Sequence, residues 1–510
     1  MKLSLLRQQL ADLDATGDPA ADPDITAVCY DSRKAAPGAL FVAIEGMAVD
    51  GHRFIADALQ RGAAAVVCQK PVTADVPVIR VADSRAALAR LACRFYGDPA
   101  GEMVLVGVTG TNGKTTVTYL LEQILKQAGH RPGVVGTINY RYAGKAFDNP
   151  VTTPESLELQ AILRQMADAG VTHAVMEVSS HALDMHRVDG CLFDLAVFTN
   201  LTQDHLDYHG DMARYWECKR RLFTEFLKPA DPFHPFRAVI NADDAKGQEL
   251  LGAMKPAALR TAAYGEGDVF PVGVIRDLEG IRGGMAAPGG RIAFASPLVG
   301  DFNLENMLSA AGAALALGLP LAAIGAGIDA TPCVPGRLER VAAGTGPTVF
   351  VDYAHTPDAL ENAISALRSL TPARLITVFG CGGDRDTSKR PIMGEIAARL
   401  SDLAVVTSDN PRSEDPLAII AQVEPGVRQA ASLRLSPDAL DNGWKGKAYV
   451  VESDRGRAIA AAIRTASRDD AVLIAGKGHE TYQILAKRTI HFDDREVARR
   501  VLDELGDGGG

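Results

Sequence analysis

A glycine-rich segment between an apolar run and a helical pattern constrains the fold of this chain more than any other feature. The segment is Gly110-Thr111-Asn112-Gly113-Lys114-Thr115-Thr116, which follows the apolar residues 103–108 and precedes a helical pattern that ends at Ala128. Glycines in such a turn let backbone N–H groups point at a phosphate, a lysine reaches the terminal phosphates, and a threonine hydroxyl holds Mg²⁺. The segment therefore predicts a parallel-sheet domain that binds a nucleoside triphosphate.

The segment departs from the strict phosphate-loop pattern at one position. That pattern has a glycine five positions before the second glycine, and Val108 stands there instead. An ordinary glycine-rich turn is the alternative, but it does not account for a Lys-Thr pair at the start of a helix. The nucleotide contacts predicted from the segment are Gly110, Thr111, Asn112, Gly113, Lys114, Thr115 and Thr116.

The length and the charge of the chain limit the classes of protein to which it can belong. A chain of 510 residues predicts about two to four domains with sizeable cores. The formal net charge is −10 and no long run of Lys and Arg is present, which argues against a nucleic-acid partner. Seven cysteines without CxxC spacing indicate reduced thiols rather than disulfides or a zinc site.

Neither a signal peptide nor a membrane span is predicted. Residues 1–14 are amphipathic and lack the apolar core and cleavage site of a signal peptide. The uncharged part of residues 307–328 is long enough to span a membrane, but Gly318-Leu319-Pro320 interrupts it, so we predict two short buried helices. We therefore expect a soluble, cytoplasmic, monomeric protein.

Apolar runs and helical patterns alternate along the chain in three blocks. The first block is mixed, with a helical pattern at residues 84–95 and a linker at residues 97–101. The second and third blocks alternate strand and helix, which is typical of parallel sheets covered by helices, and a break at residues 331–336 separates them. A disordered tail is expected at residues 508–510. The apolar runs expected to form strands are residues 40–44, 63–68, 76–81, 104–108, 133–137, 174–178, 195–199, 349–352, 375–379, 403–407, 448–451 and 471–475.

Polar residues with metal-binding chemistry follow the strands of the second block. Glu177 stands at the end of one strand and can reach a metal held by Thr115, although a buried capping role is the alternative. Residues 204–209, which include His205, follow the next strand and offer carboxylates and imidazoles as metal ligands. The alternative is that they are only a polar loop exposed to solvent. Lys219 falls near the inner face of a later helical pattern, and that pattern alone predicts a snorkelling surface lysine.

Three polar loops follow strands of the third block. They are residues 380–386, residues 408–412 and residues 476–480, and in a parallel sheet they lie at the same edge. Arg385, Arg412 and Glu480 in these loops suit a ligand that carries both carboxylate and ammonium groups. Each loop alone is compatible with a plain turn, but three together predict a binding crevice.

These motifs together resemble the Mur ligase family, and within it the members that synthesise UDP-N-acetylmuramoyl-tripeptide. The similarity extends over nearly the whole chain in family order. Besides the phosphate segment, the matching motifs are Tyr30-Asp31-Ser32-Arg33, residues 37–41, Thr152-Thr153-Pro154, residues 177–181, residues 200–210, Asn303-Leu304-Glu305-Asn306, Pro335-Gly336-Arg337 and Asp352-Tyr353-Ala354-His355.

The resemblance implies an α/β fold of three domains. They are an N-terminal mixed α/β domain for the uridine nucleotide (1–98), a central P-loop-like parallel-sheet ATPase domain (99–334) and a C-terminal Rossmann-like domain for the amino acid (335–507). The region near Val334-Pro335-Gly336 is the hinge that this implies.

The resemblance also implies a role for individual residues. Lys114, Glu177, His205 and Lys219 match catalytic positions, and Mg²⁺ is expected on Thr115, Glu177, His205 and Lys219, with Lys219 carried as a carbamate. Asn306, Arg337 and Asp352 match further positions that contact ATP in the family. The residues that match family positions in contact with the uridine nucleotide and the muramoyl dipeptide are Tyr30, Ser32, Met47, Ala48, Val49, Thr152, Thr153, Ser179, Met185 and Arg187. Val151, and Met185 in the helix after Ser180, depart from residues that relatives carry there, which leaves individual sugar or peptide contacts in doubt.

One motif implies the amino acid that is added. Asp409-Asn410-Pro411-Arg412 is the form found in relatives that add meso-diaminopimelate, where the arginine pairs with the second carboxylate. Arg385, Gly476 and Glu480 match the remaining contacts to this amino acid.

The implied reaction is ATP-dependent ligation of meso-diaminopimelate to UDP-N-acetylmuramoyl-L-Ala-D-Glu through an acyl phosphate, in cytoplasmic peptidoglycan synthesis. Folylpolyglutamate synthetase is the nearest enzymatic alternative, but it lacks a separate domain like residues 1–100. A binding protein that hydrolyses ATP without ligation and a non-catalytic scaffold are the alternatives of other classes.

Overall fold

The computed structural model describes residues 1–17, 21–46, 49–229, 235–341, 346–370, 373–486 and 488–507. Two predictions from the sequence, the contacts of Met47 and Ala48 and the tail at residues 508–510, lie outside these residues. The chain divides into two compact units. One comprises Met1–Phe270 and Leu308–Gly327, and the other comprises Pro271–Met307 and Ile328–Gly510.

The first unit begins with a small α/β layer made of α1 (Leu3–Arg7), β1 (Ala27–Cys29), β2 (Ala39–Val42), α2 (Ile55–Gln60), β3 (Ala65–Cys68), β4 (Val78–Arg80) and α3 (Ser84–Phe95). The four strands are parallel in the order β1-β2-β3-β4. The side chains of β2 and β3 are apolar and buried, as is usual for parallel strands covered on both faces. Asp83 caps α3, because its carboxylate accepts hydrogen bonds from the N–H groups of Arg85 (2.8 Å) and Ala86 (3.0 Å).

The residues that join this layer to the next are folded. A linker was predicted at residues 97–101, and the structure has a turn there followed by a 3₁₀ helix at Pro99–Glu102. Asp98 adopts a left-handed backbone conformation with φ of 54°, and Ala100 is buried in the core of the next layer.

A larger sheet forms the rest of this unit. Its elements are β5 (Val104–Thr109), α4 (Lys114–Gln127), β6 (Pro132–Val135), β7 (Asn139–Tyr142), β8 (Lys145–Asp148), α5 (Ser156–Asp168), β9 (His173–Glu177), α6 (Ser180–Asp184), β10 (Leu195–Phe198), α7 (Leu206–His209), α8 (Met212–Thr224), β11 (Ala238–Asn241), α9 (Ala245–Met254) and β12 (Ala258–Thr261). The strand order is β12-β11-β10-β5-β9-β6-β7-β8, with β7 and β8 antiparallel and the others parallel. The carboxyl ends of β5, β9 and β10 therefore adjoin at one edge.

An antiparallel sheet and two helices come next in the chain. The sheet contains β13 (Phe270–Asp277), β14 (Gly280–Ala287) and β15 (Gly290–Ser296), and the helices are α10 (Asp301–Ala316) and α11 (Leu321–Asp329). The helix pair and its intervening turn at Gly318, with φ of 75°, confirm the prediction of two helices at residues 307–328. In the part of the chain that the structure describes, no helix is both long and apolar enough to cross a membrane.

The second unit contains a seven-stranded sheet. Its elements are β16 (Glu339–Val341), β17 (Thr348–Asp352), α12 (Pro357–Leu370), β18 (Leu375–Phe379), α13 (Lys389–Leu400), β19 (Leu403–Val406), α14 (Pro416–Ala430), β20 (Leu433–Leu435), β21 (Ala448–Val451), α15 (Arg455–Thr465), β22 (Ala471–Ala475), β23 (Tyr482–Leu485), β24 (Arg488–His491) and α16 (Asp494–Asp507). The order is β16-β17-β22-β18-β19-β21-β20, parallel except for β16, while β23 and β24 form a separate hairpin.

This topology brings the three polar loops of the third block together. β22 pairs with β18, and β18 pairs with β19, all in parallel. The loops that follow these strands therefore lie side by side at the carboxyl edge of the sheet, where open α/β sheets bind ligands.

Candidate active site

The glycine-rich segment joins β5 to α4 and turns in a way that requires glycine. Gly110 has φ of 144° and Gly113 has φ of 87°, and a side chain at Gly110 would overlap the Thr199 hydroxyl. Lys114 folds back over the loop, since its Nζ donates to the carbonyl oxygens of Gly110 (2.9 Å) and Thr111 (2.8 Å). The loop therefore has the shape and the cation that phosphate binding needs.

The loop after β10 holds the glycine-rich segment in place. Asn200 accepts the N–H of Thr111 through its carbonyl oxygen (2.9 Å) and the N–H of Asn112 through Oδ1 (2.9 Å). The Thr111 hydroxyl also lies 3.1 Å from the Tyr215 hydroxyl, which α8 supplies. Thr116, in the first turn of α4, is buried.

Glu177 ends β9 directly beside the helix start. The Thr115 hydroxyl donates to Glu177 Oε2 (3.1 Å), and Thr137 donates to Oε1 through its N–H (2.8 Å) and to Oε2 through its hydroxyl (2.9 Å). The carboxylate is 1% exposed, so these bonds offset the cost of its burial. A buried carboxylate against the threonine of a phosphate loop fits a Mg²⁺ ion, because carboxylate and hydroxyl oxygens are the ligands that Mg²⁺ takes.

His205 stands where the loop after β10 meets α7. Its backbone is left-handed with φ of 54°, and its Nε2 lies 3.3 Å from Asp204 Oδ2. Burial is the main cause that lowers the pKa of His205. Its ring centroid is 4.8 Å from that of His181, whose pKa falls to about 4 because of burial and the neighbouring imidazoles. Both rings are therefore neutral at pH 7.

Lys219 is buried beneath the phosphate loop. It is 1% exposed, its Nζ donates to the Gly110 carbonyl (2.7 Å), and it lies 4.6 Å from the centre of the Tyr215 ring. The interpretation as a snorkelling surface lysine is therefore wrong. Burial, and next the charge of Lys114, hold the pKa of Lys219 well below its usual range.

The four residues expected to hold a metal do not form a ready-made protein site. Within the described ranges, no three side chains from His, Cys, Asp and Glu are grouped to hold a metal ion. Thr115, Glu177 and Lys219 all adjoin the phosphate loop through the contacts given above, whereas His205 reaches that region from the loop after β10.

The residues expected to hold the dipeptide surround Glu177. The hydroxyl of Thr152 is 3.0 Å from that of Thr137, and Thr153 donates to the Glu177 carbonyl (2.8 Å). Arg187 donates to the Thr153 carbonyl (3.0 Å) and to the Met185 sulfur (3.4 Å).

One detail of this region corrects the sequence interpretation. Met185 was placed within the helix after Ser180, but α6 ends at Asp184 and Met185 caps it. Ser179 is the residue before the helix, and its hydroxyl accepts the N–H of Ala182 (3.1 Å). The short helix ends there because His186 takes a left-handed conformation, with φ of 57°.

The residues expected at the uridine nucleotide lie in the first layer. The Tyr30 hydroxyl donates to both oxygens of Glu158 (3.1 Å each), and Ser32 is buried with its hydroxyl bonded to Asp57. Val49 is exposed, as a contact to a bound ligand requires.

In the second unit, Asp352 ends β17 and organises the turn before β16. Its oxygens accept the N–H groups of Leu338 (2.6 Å) and Ala354 (2.8 Å). Burial raises the pKa of Asp352, and the Arg337 guanidinium opposes that rise. Asn306, on α10, is buried and donates to Asn303 Oδ1 (3.1 Å).

The loops after β18 and β19 are bonded to each other. Arg412 has φ of 53°, and its Nη1 donates to the Gly383 carbonyl (2.8 Å). Gly383 in turn donates to the Asn410 carbonyl (3.0 Å). The carbonyl of Pro411 fills the space that a side chain at Gly383 would need, so glycine is required there. Arg385 is exposed at the tip of the same loop.

The loop after β22 completes this cluster. Asn410 Nδ2 donates to Glu480 Oε2 (2.8 Å), so the third loop is joined to the second. Gly476 has φ of 119° and faces the carboxyl group of Asp409, whose Oδ1 is buried and has no hydrogen-bond partner among the described residues. All the predicted amino-acid contacts therefore lie in one loop cluster.

Sequence analysis missed three buried charges beneath these loops. Lys477 contacts Asn410 and Glu480, and Arg390 donates to Glu414 (2.8 Å) and to the Gly382 carbonyl (3.1 Å). Arg455 forms a fully buried pair with Asp494 (2.6 Å). No local pattern in the sequence signals these three charges, because their burial depends on partners that are distant in the chain.

The fold and this geometry define a class. A phosphate loop on a parallel sheet, a buried carboxylate beneath its threonine and a separate α/β unit with a polar loop cluster are typical of nucleotide-dependent enzymes of the P-loop-like α/β class.

Comparison with known proteins identifies the family. The sequence matches the Mur ligase family catalytic domain over residues 24–96, the Mur ligase middle domain over residues 108–314 and the Mur ligase glutamate ligase domain over residues 336–478. The chain therefore belongs to the Mur ligase family.

Individual relatives agree with this. The UDP-N-acetylmuramoyl-L-alanyl-D-glutamate–2,6-diaminopimelate ligase of Geobacter metallireducens is 47% identical over 100% of both chains. The solved structure of a ligase with the same name is 33% identical, with a TM-score of 0.67 over 94% of this chain and 95% of that one. Mycobacterium tuberculosis folylpolyglutamate synthase, solved with ADP and AMPPCP, is 21% identical, with a TM-score of 0.59 over 77% of this chain and 92% of its own, which shows a shared fold alone.

Proposed function

We propose that this chain is an ATP-dependent ligase that joins meso-diaminopimelate to UDP-N-acetylmuramoyl-L-Ala-D-Glu during peptidoglycan precursor synthesis. The observation that carries the proposal is the loop Asp409-Asn410-Pro411-Arg412, held by hydrogen bonds to the two neighbouring loops, in a chain that also has the phosphate loop. The identity of 47% over the full length of a ligase named for this reaction supports it.

The reaction that we propose has two steps. The γ-carboxylate of D-Glu attacks the γ-phosphate of ATP, which gives an acyl phosphate and ADP. The amine of diaminopimelate then displaces phosphate and forms the amide. In the first step an anionic carboxylate approaches the anionic γ-phosphate, and in the second step an amine attacks the electrophilic carbonyl carbon of the acyl phosphate. The task of the protein is therefore to neutralise charge and to orient the partners.

Lys114 and the loop amides neutralise the phosphates in this proposal. Lys114 Nζ donates to the carbonyl oxygens of Gly110 and Thr111. A phosphate oxygen is a stronger acceptor than a carbonyl oxygen for an ammonium group, so bound ATP is expected to take over these bonds.

We assign Mg²⁺ to Thr115, Glu177, His205 and a carbamate on Lys219. Bound Mg²⁺ supplies positive charge to the phosphate oxygens. Thr115 and Glu177 fit this role through their direct contact, and the neutral imidazole of His205 has a lone pair to offer.

The surroundings of Lys219 support the proposal that it is carbamylated. CO₂ adds only to a neutral amine, and the depressed pKa of Lys219 favours that form. The resulting carbamate is an anion beside Lys114, which removes the repulsion between the two cations. Exclusion of dissolved CO₂ is therefore expected to lower the rate, and added bicarbonate to restore it. An unchanged rate in CO₂-free buffer contradicts the assignment.

We place the substrates as follows. The uridine end contacts Tyr30, Ser32 and residues 47–49, and the muramoyl dipeptide contacts Thr152, Thr153, Ser179, Met185 and Arg187. ATP also contacts Asn306, Arg337 and Asp352. The amino acid contacts Arg385, Gly476, Glu480 and residues 409–412, with Arg412 on its second carboxylate, because a guanidinium binds a carboxylate through two parallel hydrogen bonds.

We further propose domain boundaries at residues 1–98, 99–334 and 335–507. Each family match falls inside one of these ranges, which supports the division. We also propose that the protein acts as a cytoplasmic monomer without a nucleic-acid partner, and the net charge of −10 supports the last point.

Product analysis tests the proposed function. The protein is incubated with ATP, Mg²⁺, UDP-N-acetylmuramoyl-L-Ala-D-Glu and meso-diaminopimelate, and each component is omitted in turn. We expect one ADP for each tripeptide and no ADP when the dipeptide is missing. When the amino acid is missing, ADP release is expected to stop once the acyl phosphate has formed. Sustained ADP release without the amino acid indicates an ATP hydrolase and contradicts the proposal.

A further inference from the structure

Lys477 is a fully buried cation that none of the assigned roles uses. Its side chain is 0% exposed, although it stands in the loop after β22. Gly476 and Gly478 on either side have φ of 119° and 53°, and a side chain at Gly478 would lie 2.6 Å from the Tyr353 Cβ. The loop therefore takes a glycine-dependent path that turns the lysine into the protein instead of toward a ligand.

The ammonium group bonds to two residues of the loop cluster. Nζ donates to Asn410 Oδ1 (3.2 Å) and to Glu480 Oε2 (3.1 Å), and it lies 4.0 Å from Asp409 Oδ1. A buried ammonium is costly unless it is paired and hydrogen-bonded. Lys477 is therefore held between the loop after β19 and the loop after β22.

These contacts determine which way the Asn410 amide points. Its Oδ1 receives two donors, Lys477 Nζ and the N–H of Ile484 (3.0 Å), and its Nδ2 donates to Glu480 Oε2 (2.8 Å). A flipped amide would set its NH₂ group against both of these donors and its oxygen against a carboxylate. The network therefore admits one orientation, in which the amide oxygen points inward.

The same contacts leave complementary groups for a ligand. One hydrogen of the Asn410 NH₂ group is used by Glu480, and no second acceptor for this group is found in the part of the chain that the structure describes. Lys477 and Asn410 both bond to Glu480 Oε2, and no hydrogen bond to Oε1 is found among the described residues. A donor and an anionic acceptor side by side match the carboxylate and ammonium groups of an amino acid.

We propose that Lys477 is a positioning residue that fixes Asn410 as a hydrogen-bond donor and Glu480 as an acceptor for the zwitterionic amino-acid substrate. This inference rests on the proposed function for the identity of that substrate. Lys477 itself is not a catalytic residue, because its side chain is fully buried and bonds to the groups that it positions.

The variant Lys477→Met tests the inference through steady-state kinetics. It keeps the length of the side chain and removes the charge and the donors. We expect the KM for meso-diaminopimelate to rise at least about 10-fold, because removal of one partner of a buried, hydrogen-bonded charge pair disrupts what it holds. The KM values for ATP and for the uridine substrate are expected to stay within about twofold of wild type.

A matched control lies at the other end of the same strands. Arg374 donates to Asp470 (2.6 Å) just before β18 and β22 begin, so Arg374→Met breaks a polar pair at the amino ends of these strands. We expect it to lower the Tm without a selective change in the KM for diaminopimelate. If Lys477→Met leaves that KM within twofold, or raises all three KM values alike, Lys477 has only a structural role and the inference is wrong.

Two further measurements keep the test decisive. If Lys477→Met does not fold, Lys477→Leu, which also removes the charge and the donors, takes its place with the same expected split. The side-chain amide of Asn410, observed by ¹⁵N NMR without any substrate, is expected to exchange slowly in wild type and faster in the variant. If the Asn410 amide exchanges equally fast in wild type and variant, the inference is wrong, whichever amino acid the protein uses. If ADP release by the wild-type protein does not depend on diaminopimelate, only the proposed function is wrong.

Discussion

Lys114 and Lys219 donate to the same carbonyl oxygen, that of Gly110, yet their surroundings give them different chemistry. Lys114 Nζ is 2.9 Å and Lys219 Nζ is 2.7 Å from that oxygen. Lys114 is partly exposed on the loop, whereas Lys219 is buried in α8 and has its pKa lowered by burial and by Lys114. Burial therefore favours the neutral form of Lys219, whereas the partly exposed Lys114 is the lysine that we assign to phosphate.

Replacement of Lys114 by alanine is expected to abolish turnover. The substitution removes the cation that faces the phosphates, and loss of one such group lowers the rate by about 100-fold or more. The measurement is ADP release at saturating substrates. The control is Lys126→Ala at the end of the same helix, where Lys126 pairs with Glu122 (2.7 Å). A Lys114→Ala variant that keeps more than half of the wild-type rate contradicts the phosphate assignment.

Replacement of Arg412 by lysine is expected to reduce the preference for diaminopimelate. Lysine keeps the charge but cannot form two parallel bonds to a carboxylate, so kcat/KM for diaminopimelate should fall about 10- to 100-fold. The value for L-lysine should change little, because that substrate has no second carboxylate. The control is the exposed Arg434, replaced by lysine, which pairs with Glu424 (3.0 Å) outside the loop cluster. An equal loss for both amino acids shows that Arg412 does not read the second carboxylate.

His479 is expected to make stability depend on pH. Burial, and then the charges of Arg337 and Arg495, lower the pKa of His479 to about 4, against about 6.5 for an unfolded histidine. Between these values the unfolded chain binds a proton that the folded chain does not, so stability falls as the pH drops from 6.5 toward 4. His479 contributes up to about 2 kcal/mol of the loss between pH 7 and pH 5.

The variant His479→Gln tests this contribution. Urea denaturation at pH 7 and pH 5 is expected to show a smaller pH effect for the variant than for wild type. His173 and His181 also have pKa values near 4, so the variant should retain part of the effect. An identical pH effect in both proteins shows that His479 is not the source.

At the scale of elements, the sequence predicted the helices and strands that lie in continuous apolar runs. Helix α3 and strands β18, β21 and β22 have the predicted ends, and β5, β9 and β17 agree to within one residue. Strands β7, β8 and β13 were missed because their side chains are half-buried or exposed, so no apolar run marks them. Strand β11 is fully buried but only four residues long, and its apolar run was overlooked.

The contact between α13 and α14 depends on glycine. A side chain at Gly426 would overlap the Pro391 carbonyl, whereas one at Gly252 in α9 would have no described atom within 4 Å. Gly426→Ala is therefore expected to destabilise the protein by about 1 to 3 kcal/mol. Gly252→Ala is expected to stabilise it by about 0.5 to 1 kcal/mol, because alanine favours a helix. Urea denaturation of both variants measures this, and a neutral Gly426→Ala shows that the two helices can move apart at no cost.

At the scale of the whole molecule, the sequence placed the site residues on elements but not in contact with one another. Strand ends and glycine-rich loops indicated Glu177, Arg412 and Glu480, because the carboxyl ends of parallel strands adjoin. The burial of Lys219 and Lys477 was not predictable from local pattern, since it depends on residues 109 and 67 positions away in the chain. Their roles remain proposals that follow from these contacts and from membership of the Mur ligase family.

The choice of amino acid tests the central claim most directly. ADP release is measured with ATP, Mg²⁺ and UDP-N-acetylmuramoyl-L-Ala-D-Glu, and meso-diaminopimelate is compared with L-lysine at equal concentrations. We expect a strong preference for diaminopimelate, because Arg412 offers a partner for its second carboxylate. A preference for L-lysine would contradict the assignment of the loop at residues 409–412, and ADP release that depends on neither amino acid would contradict the ligase itself.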